Sequence, residues 1–177
     1  MQTVEMESRI GLRKRSIDVL TQTLSDENVL LVKLRNCHWN VAGPHFRQFH
    51  ALFEEQYDTL AIRVDQVAER IRALGSHATG TMAEYLQRST LREHPGSFPA
   101  AHQMLHDVLG DHEAIIRSIS QSLTPPSQEV LDTGTLDIGT TDLLTSLIQD
   151  HEKMAWTLRA SLSDNYEDPR RHAVLYE

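Results

Sequence analysis

One unbroken stretch, residues 45–74, constrains the fold more than any other part of the chain, because it has helical spacing and contains neither Gly nor Pro. Residues four apart share a face of a helix, so His50 pairs with Glu54. Asp65 pairs with Glu69 in the same way. The 11-residue step between the pairs is about three turns, which places both on one stripe. They lie about 16 Å apart along the helix axis, too far apart to surround one small ion.

A second copy of the helix would supply the ligands that one copy cannot bring together. The four positions are symmetric about a midpoint between residues 59 and 60. His50 and Glu69 are equally far from this midpoint, and so are Glu54 and Asp65. If two copies pack antiparallel about a two-fold axis there, His50 faces Glu69 of the second copy, and Glu54 faces Asp65. The dimer would then hold two identical clusters, each built by both chains. His38, which precedes the helix, is a natural further ligand.

The residue types of this cluster indicate a metal site. Two imidazoles and three carboxylates without a thiolate favour Fe(II), Mn(II) or Zn(II). Bundles with a di-iron site inside one chain carry a Glu-x-x-His motif on two helices, and this sequence has none. That favours a site between chains. The alternative is an ordinary solvated helix face, which fits one charged pair better than two pairs in register.

Composition excludes several classes of protein. The lone cysteine permits no disulfide within the chain and no cysteine zinc site, and it suits the reducing cytoplasm, where we expect the protein. Residues 1–15 carry charges of both signs and do not resemble a signal peptide, and no apolar run approaches the ~18 residues of a membrane span. The net charge is −8, and the basic clusters at residues 9–15 and 170–172 are small, so the balance fits cation traffic better than DNA.

The hydrophobic periodicity predicts an all-α fold. Predicted helices span residues 8–36, 44–75, 81–88, 100–123 and 141–162. The third is short and begins with a capping box, because Glu84 follows Thr81 by three residues. The pattern is that of a four-helix bundle with a short extra helix between the second and third long helices. We expect a single domain over residues 1–177, with flexible tails at 1–8 and 164–177.

The sequence around the candidate ligands resembles a known family signature. From residue 38 it reads H-W-N-V-A-G-P-H-F-x-x-x-H-x-x-x-E, and D-x-x-x-E follows eleven residues later. This resembles the Dps proteins, the DNA-binding proteins from starved cells, also called mini-ferritins. The resemblance covers nearly the whole chain. It implies a ferritin-like bundle, a hollow homododecamer, and ferroxidase sites at the two-fold interfaces.

The resemblance also implies which residues bind metal and take part in catalysis. His38, His50 and Glu54 would come from one subunit. Asp65 and Glu69 would come from its partner. Most members of the family have Asp where this chain has Glu54, and the longer side chain keeps the carboxylate while changing its reach.

The activity implied is oxidation of Fe(II), with hydrogen peroxide preferred to oxygen, at two irons per shared site, where zinc could substitute. The ferric product would be stored in the cavity, protecting the cell from oxidative damage. Trp39 would intercept stray oxidising equivalents beside the site; the alternative is a packing aromatic at a helix end. Asp142, with Asp137, would line an iron-entry pore on a three-fold axis; the alternative is that Asp142 only complements a helix N-terminus.

Other polar residues are predicted to have simpler roles. A solvated face accounts for His102, His106 and His112, and an auxiliary metal site is the alternative. The same interpretation covers His151 and its neighbour Glu152. Cys37 is expected to be a small buried residue.

The sequence leaves two other functions open. The first is a structural DNA-compacting protein, which the charge disfavours, since twelve copies at −8 each would carry about −96. The second is a non-catalytic cage that sequesters metal.

Overall fold

The structure, a computed structural model, describes residues 2–124 and 136–163, with side chains from residue 10 onward. Its helices are α1 Gln2–Asn40, α2 Phe46–Ala73, α3 Met82–Arg88, α4 Ala101–Leu123 and α5 Ile138–Leu162. The described residues contain no strand. This confirms the predicted all-α fold of four long helices with a short helix between the second and third. No helix within these ranges is both long and apolar enough to cross a membrane.

The four long helices close a ring around one apolar core. α1 packs against α2 and α4, and α5 packs against α4 and α2, while α3 lies on α1. Each helix contributes the apolar stripe that its periodicity predicts. The largest fully buried side chains are Leu20, Leu24, Leu30, Leu34, Phe53, Leu60, Ile71, Leu105, Ile115, Ile119, Leu144 and Leu147.

Two predicted helix boundaries are confirmed in their hydrogen bonds. At the end of α2, the Ser76 N–H donates to the Ile71 carbonyl and the Gly75 N–H to that of Arg72, which is a Schellman cap. Gly75 has a φ of +79°, which only Gly adopts easily. At the start of α3, the Thr81 hydroxyl accepts from the Glu84 N–H, and the Glu84 carboxylate accepts from the Thr81 N–H, completing the capping box.

The short helix α3 is attached to α1 by a buried carboxylate. Asp26 on α1 is only 1 % exposed, and its Oδ1 accepts hydrogen bonds from the Thr90 N–H and the Ser89 hydroxyl, just after α3. Its Oδ2 accepts from the Gln22 side chain. These bonds satisfy the buried charge and fix the connector against the bundle.

The first helix is longer than predicted at both ends. α1 begins at Gln2, so residues 2–8, expected as part of a tail, belong to the helix. The predicted end at residue 36 is wrong, because no Gly or Pro occurs before Gly43 and the Val41 N–H still bonds to the Cys37 carbonyl. His38 therefore lies in the last turn of α1 rather than in a loop. The expected tail at 164–177 lies outside the described residues.

The last helix begins three residues earlier than predicted because Asp137 caps it. The Asp137 Oδ1 accepts from the Thr140 N–H at 3.1 Å and forms an ion pair with Arg70 on α2. Burial alone would raise the pKa of Asp137, but hydrogen bonds from Thr140 and Ser16, together with Arg70, lower it to about 2. The cap therefore also ties the start of α5 to α2.

We predict that Asp137→Ala lowers the free energy of unfolding by about 1 kcal/mol, the usual cost of losing an N-cap. Urea unfolding at neutral pH measures this. Asp137→Asn is the matched control, because its side-chain oxygen can still accept from Thr140. A cost for Asp137→Asn equal to that for alanine would mean that the ion pair, not the cap, stabilises this end.

The same pair of proteins tests the carboxylate by pH. The folded pKa lies below the unfolded value of about 3.9, so the stabilisation is complete above the unfolded value. It is lost as pH falls towards 2. The wild type should therefore lose its advantage over Asp137→Asn between about pH 5 and pH 2, whereas a constant difference would contradict the assignment.

Candidate metal centre

A short turn brings the end of α1 against the beginning of α2. Residues 41–45 reverse the chain, and the Phe46 N–H donates to the Gly43 carbonyl at 3.1 Å. Gly43 has a φ of +112°, a conformation that side-chain-bearing residues rarely adopt. The turn places His38, in the last turn of α1, beside His50, in the second turn of α2.

His38 and His50 hold each other through the backbone. The Nδ1 of each ring lies 2.8 Å from the carbonyl oxygen of the other residue. A carbonyl can only accept, so each Nδ1 carries a hydrogen and donates. In a neutral imidazole this leaves the Nε2 of each ring as a free lone pair, the form in which histidine binds metals. The rings are stacked, with centroids 3.6 Å apart.

Neighbouring side chains restrict this histidine pair. His38 is buried, at 8 % exposed, and His50 is half-buried. The centroid of the Phe46 ring lies 4.9 Å from that of His50, and the centroid of the Tyr57 ring lies 5.3 Å from that of His38, with the two ring planes nearly perpendicular. The Tyr57 hydroxyl also reaches to 3.5 Å from a carboxylate oxygen of Glu54. The site therefore combines two oriented imidazoles with a carboxylate one turn along α2.

The other two predicted carboxylates lie further along the same helix. Asp65 and Glu69 are exposed, as is Glu54, and none of the three forms an ion pair among the described residues. Like charges one turn apart repel, at a cost of about 0.2–0.5 kcal/mol per pair in a helix. Ile62, which lies between Glu54 and Asp65 along α2, is 63 % exposed. This face of α2 thus presents unbalanced negative charge around an exposed apolar residue.

The structure brings some of the predicted ligands together and leaves others apart. His38, His50 and Glu54 lie at one end of α2, and Asp65 and Glu69 lie about 16 Å further along it. Within the described part of one chain, no three His, Cys, Asp or Glu side chains converge closely enough to hold a metal ion. A contribution from the second copy stays a prediction.

The accessory residues have distinct surroundings. Trp39 is 71 % exposed and lines a groove of about 380 Å³ between α1, residues 93–99 and α4, so it is not packed inside its own chain. Asp142 is exposed at the start of the second turn of α5, whereas Asp137 is engaged by Arg70. Their predicted roles in radical capture and iron entry stay predictions.

Two histidines predicted to be solvated are in fact in the core. His112 is 0 % and His151 1 % exposed, and they contact each other, while His102 and His106 are exposed as predicted. A signal was available in the sequence, since each buried histidine lies three and four residues from apolar residues of its helix's inward stripe. Histidine counts as polar in such a pattern, although its ring is often buried when both nitrogens find partners.

The thiol of the single cysteine is poorly suited to redox chemistry. Cys37, which precedes His38 in the chain, is half-buried and packs against the apolar core. Burial raises the pKa of its thiol to about 11, so the reactive thiolate is scarce at neutral pH.

Known proteins resemble this chain in fold and in sequence. The family profile of the ferritin-like domain matches residues 17–165, so the chain belongs to the ferritin-like proteins. A "DNA protection during starvation protein 2" of Bacillus anthracis is 36 % identical over 152 residues, 86 % of this chain and 99 % of the relative. A low temperature-induced protein of Nostoc is 40 % identical over 157 residues, 89 % of this chain and 85 % of the relative.

A solved structure narrows the family further. The Dps structure from Thermosynechococcus elongatus superposes with a TM-score of 0.77 at 30 % identity, covering 88 % of this chain and 94 % of the other. Within the ferritin-like proteins, the chain is a member of the Dps family. This confirms the family indicated by the motif around His38.

We predict that Gly43→Ala destabilises the turn between the two histidines by about 1–3 kcal/mol, because the positive φ is strained for alanine. An added Cβ would meet no atom within 4 Å, so the effect isolates backbone strain from steric clash. Gly80→Ala is the matched control, since that site is equally open and its φ is not positive. Thermal unfolding of the two variants should differ, and equal midpoints would contradict the strain at Gly43.

Proposed function

We propose that the chain is a ferroxidase and iron-storage protein whose catalytic sites lie between two antiparallel copies of α2. The observation that carries this proposal is the reciprocal pair of backbone hydrogen bonds, which uses the Nδ1 atoms of His38 and His50 and leaves their Nε2 atoms outside these bonds, with Glu54 one helical turn after His50. The partner copy would supply Asp65 and Glu69, which are exposed on the same face. Each dimer would then contain two complete sites.

The donor set suits iron as a substrate. Neutral imidazoles and carboxylates bind Fe(II), and zinc could occupy the same ligands. Carboxylates are hard donors that stabilise Fe(III) relative to Fe(II), so they make the bound ion easier to oxidise. A cation also relieves the repulsion between the acidic side chains of the α2 face. Five side chains shared between two positions leave coordination open for water or an oxidant.

Pairing two irons would let hydrogen peroxide, the oxidant we propose ahead of oxygen, take two electrons at once. Two Fe(II) ions together give up two electrons, so one peroxide and two protons become two waters while both irons become Fe(III). A single Fe(II) would deliver one electron and release a hydroxyl radical. Trp39, which is exposed at the end of α1 and follows His38 in the chain, would donate an electron to an oxidising equivalent that escapes this pairing.

Storage and protection follow from an assembled cage. Relatives of this chain in Bacillus anthracis and Brevibacillus brevis are among those named for DNA protection during starvation, and a Dps protein of Vibrio cholerae is described as a member of a superfamily of ferritin-like diiron-carboxylate proteins. A hollow dodecamer of this chain would hold the ferric product, with Asp142 at the entry pore. The net charge of −8 per chain disfavours direct DNA binding, so protection would come from removing iron and peroxide.

We predict that His50→Ala and Asp65→Ala each abolish rapid Fe(II) oxidation, because each removes one ligand from every site. Mixing them in one dimer tests whether sites are shared. In a mixed dimer, one of the two sites draws His50 and Asp65 from unmutated positions on opposite chains and is intact. Random co-assembly should therefore restore about a quarter of the sites.

The measurement is the fast ferric absorbance after anaerobic Fe(II) loading and addition of peroxide, using two affinity tags to isolate mixed assemblies. Glu55→Gln is the control, because Glu55 is exposed on α2 beside Glu54 but outside the proposed ligand set. Its oxidation rate should match the wild type. Mixed assemblies as inactive as their parents would rule out sharing, and full activity of either single variant would rule out that ligand.

A further inference from the structure

A row of four buried polar side chains crosses the bundle core, one from each long helix. Glu27 comes from α1, Gln56 from α2, His112 from α4 and His151 from α5. Their exposed fractions are 0, 3, 0 and 1 %, so solvent reaches none of them. The proposed ferroxidase chemistry uses none of the four. Because burying such groups is costly unless they are paired, their contacts must account for them.

The hydrogen bonds of the row have one possible direction. The Nε2 of Gln56 lies 3.3 Å from the Met154 carbonyl, which only accepts, so this end of the amide donates. Its Oε1 then faces the Nε2 of His112 at 3.2 Å and must accept from it. With Nε2 protonated, the Nδ1 of neutral His112 is an acceptor. It therefore receives the Nδ1 hydrogen of His151, 2.8 Å away.

The other end of the row needs one more proton. The Nε2 of His151 lies 3.5 Å from a carboxylate oxygen of Glu27. If His151 is neutral its Nε2 is a lone pair, and against an ionised Glu27 two acceptors would face each other. Among the described residues, neither Glu27 oxygen nor the His151 Nε2 has another hydrogen-bond partner. A single proton between them satisfies both atoms, whichever of the two it is bonded to.

We propose that Glu27 and His151 form a buried proton-binding site that keeps one proton in the folded protein. The charged groups near Glu27 and His151 do not remove the need for this proton. Arg63 on α2 attracts the Glu27 charge but is paired with Asp150 on α5. Asp26 on α1 is occupied by the residues after α3. From α4, the facing group is His112 itself.

The effect of burial on the pKa values of this row supports the same assignment. Burial raises the pKa of Glu27, while its contact with His151 opposes the rise. Burial lowers the pKa of His112 well below its usual value, with the charge of His151 adding to the effect. His112 therefore stays neutral and remains the acceptor that fixes the orientation of His151.

A metal ion explains the row less well than a proton. A cation between Glu27 and His151 would have only these two side chains as ligands, because His112 faces the opposite nitrogen of the His151 ring. Buried divalent sites need three or four protein ligands. The short contact between the two rings is, in contrast, an ordinary hydrogen-bond length.

The site makes stability depend on pH in both directions. Above about pH 6.5 the unfolded chain releases its histidine protons while the folded site keeps one, so stability falls as pH rises. Below that value both imidazoles of the unfolded chain take up protons while the folded row still holds one, so stability falls again as pH drops. The contribution of the row is therefore greatest near about pH 6.5.

The test compares wild type with Glu27→Gln, which can donate to the His151 Nε2 without an added proton. Urea unfolding of the assembled protein at fixed concentration, from pH 5.5 to 8.5, gives the unfolding constant of each. The ratio of the wild-type constant to the variant constant should rise about tenfold per pH unit, the linkage of one proton. Glu152→Gln is the matched control, since Glu152 follows His151 but is exposed, and its ratio should be flat.

Parallel profiles for wild type and Glu27→Gln would overturn the proposal. A second measurement uses wild type alone, in case the variant does not assemble. In nitrogen-15 spectra of histidine-labelled, sedimented protein, His112 should stay neutral with a bare Nδ1 throughout this pH range. Titration of every histidine near its ordinary pKa would overturn it. So would a stoichiometric metal in wild type that Glu27→Gln lacks.

Discussion

The second helix packs into the core with one face and presents the acidic stripe on another, and the arrangement of the candidate site depends on that constraint. Phe53, Leu60 and Val67 of α2 are fully buried, which fixes the rotation of the helix in the bundle. The acidic stripe is then held outward, because 3.6 residues per turn leave it no other direction. Neither surface can move without the other. The Dps-type interface we propose is therefore a consequence of how the subunit core is packed.

The turn before α2 positions the two histidines of the candidate site relative to each other. Its positive-φ glycine, Gly43, lets α1 run to Asn40 and still reverse within five residues. His38 and His50 then lie close enough to exchange hydrogen bonds with each other's carbonyl. Orientation of the imidazoles is thus a backbone property, present before any ion arrives, which reduces the reorganisation that binding requires.

The sequence was sufficient for the elements and for the acidic stripe, because both depend on periodicity within one helix. The capping box at Thr81 and the stop at Gly75 were predicted for the same reason, since each is a local pattern. The extension of α1 through His38 was missed because only the breakers at Gly43 and Pro44 mark the turn, and nothing local shows how far the helix runs towards them. Burial of His112 depends on hydrogen-bond partners from two other helices, Gln56 of α2 and His151 of α5, which no single-helix pattern contains.

The two pairs of histidines show why residue type alone does not locate a metal site. His38 and His50 each donate a hydrogen bond from Nδ1 to a carbonyl oxygen, and the Nε2 of each ring is outside this pair of bonds. His112 has both nitrogens in hydrogen bonds, and His151 has one bonded and the other against Glu27. Histidines in the core are therefore committed to structure, while those at the edge of the bundle retain a lone pair. We therefore propose that the availability of that lone pair, rather than the number of histidines and carboxylates nearby, determines which histidines bind metal.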